Sequence, residues 1–265
     1  MTKRVISATV ALAIFIPIFI IGGMLFDITV FVLAVLGLKE FLDVKKSKKE
    51  MPLFIQFISY ISLGLIIFFN SSNNYLLSVD YRLIAGVFMT FLIPTILYHD
   101  RNLYSINDAF YLIGGIFFLG TSFSLFIFLR SEGLLLLLYL LFISIFTDTF
   151  AYFTGLLIGK NKLLEDISPK KTIEGMIGGT VLGVFIASTF YSTVIDNTLP
   201  LYIVIFMTTF LSVIGQFGDL VFSAIKRYYD TKDFSNIMPG HGGVLDRLDS
   251  IIFVIIGYIL LSGII

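Results

Sequence analysis

The sequence predicts an all-α polytopic membrane protein of about nine transmembrane helices, with the N-terminus cytosolic and the C-terminus external. Three observations carry this expectation. Of 265 residues, 57% are apolar and 14% charged, against roughly 45–50% and about 25% in soluble domains. Charge-free runs such as 5–26, 51–79, 109–129 and 197–218 supply the ~20 residues that a spanning helix needs. When nine spans are drawn in alternation, 16 of the 18 Lys and Arg fall on one side, which the positive-inside rule assigns to the cytosol.

Taken in order, the first span covers residues 5–21. Lys3 and Arg4 precede it as they would a signal peptide, but no small-residue cleavage pattern follows, so it reads as a retained helix. Only Gly22 and Gly23 separate it from the second, 23–38, which carries Asp27 near its start. The lysines at 45, 46, 48 and 49 read as a short interfacial helix meeting anionic headgroups, at about 1 kcal/mol each, or as a plain topology anchor. The third and fourth spans are 53–69 and 83–98. Pro94 in the fourth and Pro17 in the first imply kinks. Residues 109–129 form the fifth span, and 133–155, opening on a leucine run broken only by Tyr139, the sixth. The last three are 174–194, 201–221 and 245–264. Residues 1–265 thus form a single transmembrane domain, in which 1–130 contain little site chemistry and 131–265 hold the candidate site helices and cytosolic loops.

Composition also excludes chemistry. Eighteen basic residues balance eighteen acidic ones, so no basic field argues for nucleic acid. There is no cysteine, hence no disulfide, thiolate nucleophile or cysteine metal site. The two histidines are His99, beside Asp100 at a cytosolic helix end, and His241.

From residue 144 onward polar groups gather. Asp148 lies deep in the sixth span, where a carboxylate costs about 2.5–3.5 kcal/mol on insertion scales and marks a functional candidate or an interhelical bond. The loop Ser168-Pro169-Lys170-Lys171-Thr172-Ile173-Glu174-Gly175 runs into the seventh span. Ser168 or Thr172 would begin that helix, whose N-terminus beside two lysines suits a phosphate. Asp219, Ser223, Lys226 and Arg227 fall on or near one face at the cytosolic end of the eighth span. Pro239-Gly240-His241-Gly242-Gly243 follows, its glycines letting backbone N–H groups approach an oxyanion. Asp246, Arg247 and Asp249 open the ninth span. In the predicted topology Asp148, Asp219, Asp246 and Asp249 all lie toward the cytosol. Ringed by Lys170, Lys171, Lys226, Arg227 and Arg247, they suggest a divalent cation with a phosphate-bearing ligand; a structural salt-bridge knot is the plainer reading.

At these residues the sequence resembles the phosphatidate cytidylyltransferase (CDP-diacylglycerol synthase) family. Its C-terminal signature, S-x-x-K-R-x₄-K-D, a spacer and P-x-H-G-G-x-x-D-R-x-D, is met by Ser223, Lys226, Arg227, Lys232, Asp233, Pro239, His241, Gly242, Gly243, Asp246, Arg247 and Asp249. Met238 stands where the family more usually has Leu, Ile or Phe. Residues 148–155 and 168–175 also resemble family motifs, so the likeness is specific over about 140–255.

The resemblance implies transfer of a cytidylyl group from CTP to phosphatidate, giving CDP-diacylglycerol and pyrophosphate in phospholipid biosynthesis, at the cytosolic face of the inner membrane. It makes Asp219 and Asp246 ligands of Mg²⁺ and Asp249 a further ligand or a support for them. Lys226, Arg227 and Arg247 become phosphate contacts, and Ser223 a metal or phosphate contact. Lys170 and Lys171, with Ser168 before them, grip a phosphate, and Asp148 orders a base or a second cation. His241 contacts the nucleotide or stabilises its turn, beside Gly242 and Gly243. The expected partners are CTP, phosphatidate of the inner leaflet and membrane lipids, with a homodimer allowed and no nucleic acid. Two competitors stand beside this reading, a CTP-dependent polyprenol kinase and a cation or proton transporter. The D-G-x₂-A-R-x₈-G-x₃-D-x₃-D pattern of CDP-alcohol phosphotransferases is absent.

Overall fold

A computed structural model describes residues 2–72, 81–196, 198–237 and 242–262. Helix α1 (Thr2–Ile21) ends where Gly22 and Gly23 take φ of 68° and 59°, left-handed conformations that glycine adopts without steric cost. The chain then enters α2 (Gly23–Lys46), α3 (Leu53–Ser72) and α4 (Tyr81–Leu92). Pro94 lacks the N–H that would continue α4, and it starts a one-turn helix, α5 (Pro94–Leu97), instead. Next come α6 (Ile106–Glu132) and α7 (Leu134–Ile158), parted by Gly133. After a hairpin follow α8 (Ile173–Phe190), prolonged by a π-helical turn (Tyr191–Ile195), then α9 (Leu201–Tyr228) and α10 (Leu245–Ser262). Each predicted span thus coincides with helix over most of its described residues, the fourth being broken at Ile93 between α4 and α5. Among the described residues four segments, Ile106–Glu132, Leu134–Ile158, Ile173–Ile195 and Leu201–Tyr228, are long and apolar enough to cross a membrane.

The all-α architecture carries one small hairpin that the sequence did not reveal. Strand β1 (Lys162–Leu164) pairs antiparallel with β2 (Ser168–Thr172), Lys162 facing Thr172 and Leu164 facing Ser168. Ser168 therefore begins a strand. Thr172 is the residue that starts α8, its hydroxyl accepting the Gly175 N–H at 3.1 Å.

The chain divides into two compact units, Met1–Phe128 with Asp233–Leu245, and Leu129–Lys232 with Asp246–Ile265. In the first, Phe41 of α2 stacks on Tyr111 of α6 with ring centroids 4.4 Å apart, and the Tyr111 hydroxyl donates to the Phe41 carbonyl at 2.7 Å. Gly115 permits this approach, since a side chain there would overlap the Phe41 ring. Part of the lysine run is used inside the unit. Lys45 and Lys49 turn inward onto the buried Asp108, at 2.6 and 2.5 Å, and Lys45 also lies over the Tyr111 ring. Lys46 and Lys48 are the exposed ones. No separate interfacial helix forms, because α2 itself carries the run as far as Lys46.

In the second unit, α7 and α8 pack through a stripe of small residues at every fourth position. Gly175, Gly179 and Gly183 meet Ala151 and Thr147 at backbone contact distance, the close approach that small residues allow between membrane helices. Side-chain hydrogen bonds then tie in α9: Tyr139 to Thr208 at 2.7 Å, Thr147 to Ser212 at 2.8 Å and Gln216 to Thr180 at 2.8 Å. Such bonds average about 0.6 kcal/mol each in a bilayer, so they fix the rotation of α9 more than they stabilise the unit. Gly215 and Gly218 do for α9 and α10 what the stripe does for α7 and α8: a Cβ on Gly218 would stand 2.7 Å from the Phe253 Cβ.

Candidate active site

The second unit builds a charged cluster from four elements. Because Gly218 brings α9 against the Asp249 carbonyl, the next residue, Asp219, lies close to the first turns of α10. Ser223, one turn on, donates to Asp219 Oδ1 at 3.2 Å. One turn further, Lys226 Nζ sits 2.7 Å from Asp246 Oδ1. Strand β2 delivers Lys171, whose Nζ lies 2.5 Å from Asp219 Oδ2. Asp148 of α7 feels the charges of Lys171 and Asp219, and Asp249 those of Asp219, Lys226 and Asp148. Six groups thus share one electrostatic environment, four acidic and two basic.

The two ion pairs differ in solvation. Lys226 and Asp246 have side chains 9% and 3% exposed, whereas Lys171 and Asp219 retain 28% and 26%. Removing one member of a dry pair strands the other charge, at a cost of about 3–5 kcal/mol; the wetter pair opens more readily to a competing ligand. Among the described residues no three Asp, Glu or His side chains already converge as a metal site. The expected set of Asp219, Asp246 and Asp249 is brought into one cluster, but with a lysine ammonium on each of the first two. All the donors are hard carboxylate oxygens, so their chemistry suits Mg²⁺.

Other expected residues fall outside this cluster or at its edge. Lys170 is exposed on β2, and successive strand residues point to opposite faces, so it does not join Lys171 on Asp219. Ser168 is half-buried at the start of the same strand. Arg227 is exposed and donates to the Ile167 and Thr231 carbonyls at 3.3 and 2.9 Å, tying the hairpin turn to the end of α9. Arg247 is exposed on the first turn of α10. Gly242 and Gly243 belong to the first unit, Gly242 with φ 84°. His241 lies outside the described residues.

Two acidic residues escaped sequence reasoning. Glu174 accepts hydrogen bonds from the Lys160 and Asn161 N–H groups and, at 2.7 Å, from the Asn161 side chain, closing the base of the hairpin that presents Lys171. Its signal was available in its place two residues after the cap Thr172, where acidic side chains favour a helix start. Glu40 is fully buried in α2 and accepts from Ser235 and from the Val244 and Leu245 N–H groups. No local pattern points to that.

The pattern of the cytidylyltransferase family matches residues 2–264. The chain belongs to this family. Its cytidylyltransferase relatives include the phosphatidate cytidylyltransferase of Staphylococcus haemolyticus, 36% identical over 96% of both chains, and that of Staphylococcus aureus strain COL, 37% identical over the same share. A third, from Staphylococcus saprophyticus, is 35% identical over 96% of each chain. The match spans both units, so the cytidylyltransferase likeness embraces the N-terminal helices as well as the motif-bearing half.

Proposed function

We propose that the protein transfers a cytidylyl group from CTP to phosphatidate, giving CDP-diacylglycerol and pyrophosphate, and so supplies an activated lipid for phospholipid synthesis. The observation that carries this reading is full-length similarity to phosphatidate cytidylyltransferases, and the charged cluster gives it a mechanism. A phosphatidate oxygen attacks the α-phosphorus of CTP, the new P–O bond forms, and the bond to the β-phosphate breaks with pyrophosphate leaving. The nucleophile is already anionic, so the reaction needs charge neutralisation and alignment more than a base. Lys171 and Lys226 are the ammonium groups at hand, each resting on a carboxylate that a substrate phosphate displaces. Arg227 and Arg247 add positive charge nearby. Ser223 steadies Asp219 and offers its hydroxyl to a phosphate. Asp219 and Asp246 would hold Mg²⁺, with Asp249 as a further ligand and Asp148 ordering Lys171 or a second cation; the metal supplies Lewis-acid neutralisation of the phosphates.

The same reading puts nine spans in the cytoplasmic membrane with this cluster on the cytosolic side, supported by the 16 to 2 distribution of Lys and Arg. Purified protein given CTP, phosphatidate and Mg²⁺ tests the activity. Pyrophosphate release with α-label passing into the lipid is the expected result. Label from the γ-position in the lipid would mean a kinase, and no chemistry with any cytidine nucleotide would remove the proposal.

A further inference from the structure

Glu40 has the environment of a residue with a task. It belongs to the first unit, its exposure is 0%, and its carboxylate takes three donors. Oε1 accepts from the Ser235 hydroxyl at 2.6 Å and the Val244 N–H at 2.8 Å; Oε2 accepts from the Leu245 N–H at 2.9 Å. Leu245 is the first residue of α10, so Glu40 takes up N–H groups that a helix start leaves open. A Cβ on Gly243 would overlap the same carboxylate, standing 2.6 Å from its Cδ. Gly243 therefore lacks a side chain because Glu40 occupies the space, a reason independent of any oxyanion approaching the loop. Leu245 is bonded directly to Asp246, and every carboxylate that α10 contributes hangs from the helix start that Glu40 fixes.

We infer that Glu40 is a positioning residue for the cytidylyl transfer: by holding Ser235, Val244 and Leu245 at one carboxylate it sets where α10 begins and so where Asp246 is presented. It touches neither substrate. This rests on the proposed reaction, but its structural part does not depend on activity.

The decisive variant is Glu40→Gln, which keeps the shape of the side chain but replaces one accepting oxygen by a donor. One of the three donors then faces an N–H₂ group. Two readouts apply to the full chain in micelles. Hydrogen–deuterium exchange at the Val244 and Leu245 amides should quicken by about tenfold or more. The kcat for pyrophosphate release should fall by a similar factor while the KM for phosphatidate stays within about twofold. Faster exchange with unchanged kcat would end the positioning role, as would a lower kcat with unchanged exchange. A wild-type protein that releases no pyrophosphate would undo the reaction assignment, while the exchange result would still report whether Glu40 holds the Val244 and Leu245 amides.

Should Glu40→Gln fail to fold, Gly243→Ala pushes a methyl group onto the carboxylate and Glu40→Asp withdraws that carboxylate by one methylene. The double variant should be several times more active than Gly243→Ala alone, since the two residues are in contact and their effects couple. A double variant no better than the single one, or a Gly243→Ala protein with full activity, would overturn the inference.

Discussion

Lys170 and Lys171 are neighbours in sequence with identical chemistry, yet only Lys171 reaches Asp219, at 2.5 Å. We expect Lys171→Gln to lower kcat/KM by about a hundredfold, the scale of losing one charge-stabilising donor, and Lys170→Gln to lower it by no more than about threefold. Steady-state kinetics on both proteins decides this; equal effects would mean that strand β2 turns over when substrate binds. Asp219 and Asp246 call for a different comparison. Asn at either position keeps the shape and withdraws the charge, so activity should drop by about two orders of magnitude or more, with the Mg²⁺ needed for half-maximal rate moving upward. A wild-type rate with wild-type Mg²⁺ dependence in either variant would sink the metal assignment. The pair Lys226–Asp246 is nearly dry, so Lys226→Met should lose stability as well, by about 3 kcal/mol, visible as a lower melting temperature in detergent. Lys171→Gln should leave that temperature almost unchanged.

Helices α7 and α8 approach each other closely, and that approach depends on the absence of side chains at Gly179 and Gly183. Gly183→Leu would drive a branched side chain into Thr147 and separate the helices, at a cost of about 1–3 kcal/mol or more. Because Thr147 also bonds Ser212, the displacement would pass to α9 and to Asp219. The expected result is reduced yield of folded protein together with reduced activity, read by size-exclusion chromatography and the transfer assay; normal behaviour in both would refute the packing account. The sequence made such helices legible because an apolar run of sufficient length has one stable form in a bilayer, where every backbone N–H needs a partner within its own segment. The face shared by Asp219, Ser223 and Lys226 was legible for a similar reason, since helical periodicity is local. Hairpin β1–β2 was not: Lys-Lys-Thr beside a proline reads equally as loop or strand, and Glu174 closes the hairpin from the following helix. Glu40 was still less visible. It sits next to Lys39 like any helix-end acid, and its partners lie 195 to 205 residues away.

For the whole molecule, the positive-inside distribution makes a prediction that needs no activity. Single cysteines placed at Lys46 or Lys170, both exposed, in this cysteine-free chain should resist impermeant thiol reagents added to intact cells and react after the membrane is opened. One placed after Ile265 should react from outside at once. Labelling of position 46 from outside would reverse the topology. The arrangement in which residues 233–245 complete the first unit also has a consequence for biogenesis. Glu40 leaves the ribosome with its carboxylate bare, and the last of its donors, Leu245, follows 205 residues later. At about 5–20 residues per second that is a wait of roughly 10–40 s, during which the acid must stay hydrated or be shielded by a chaperone. The N-terminal helices therefore cannot mature in order of synthesis, and a nascent chain stalled anywhere before residue 233 displays an unburied charge that membrane quality control can recognise as unfinished.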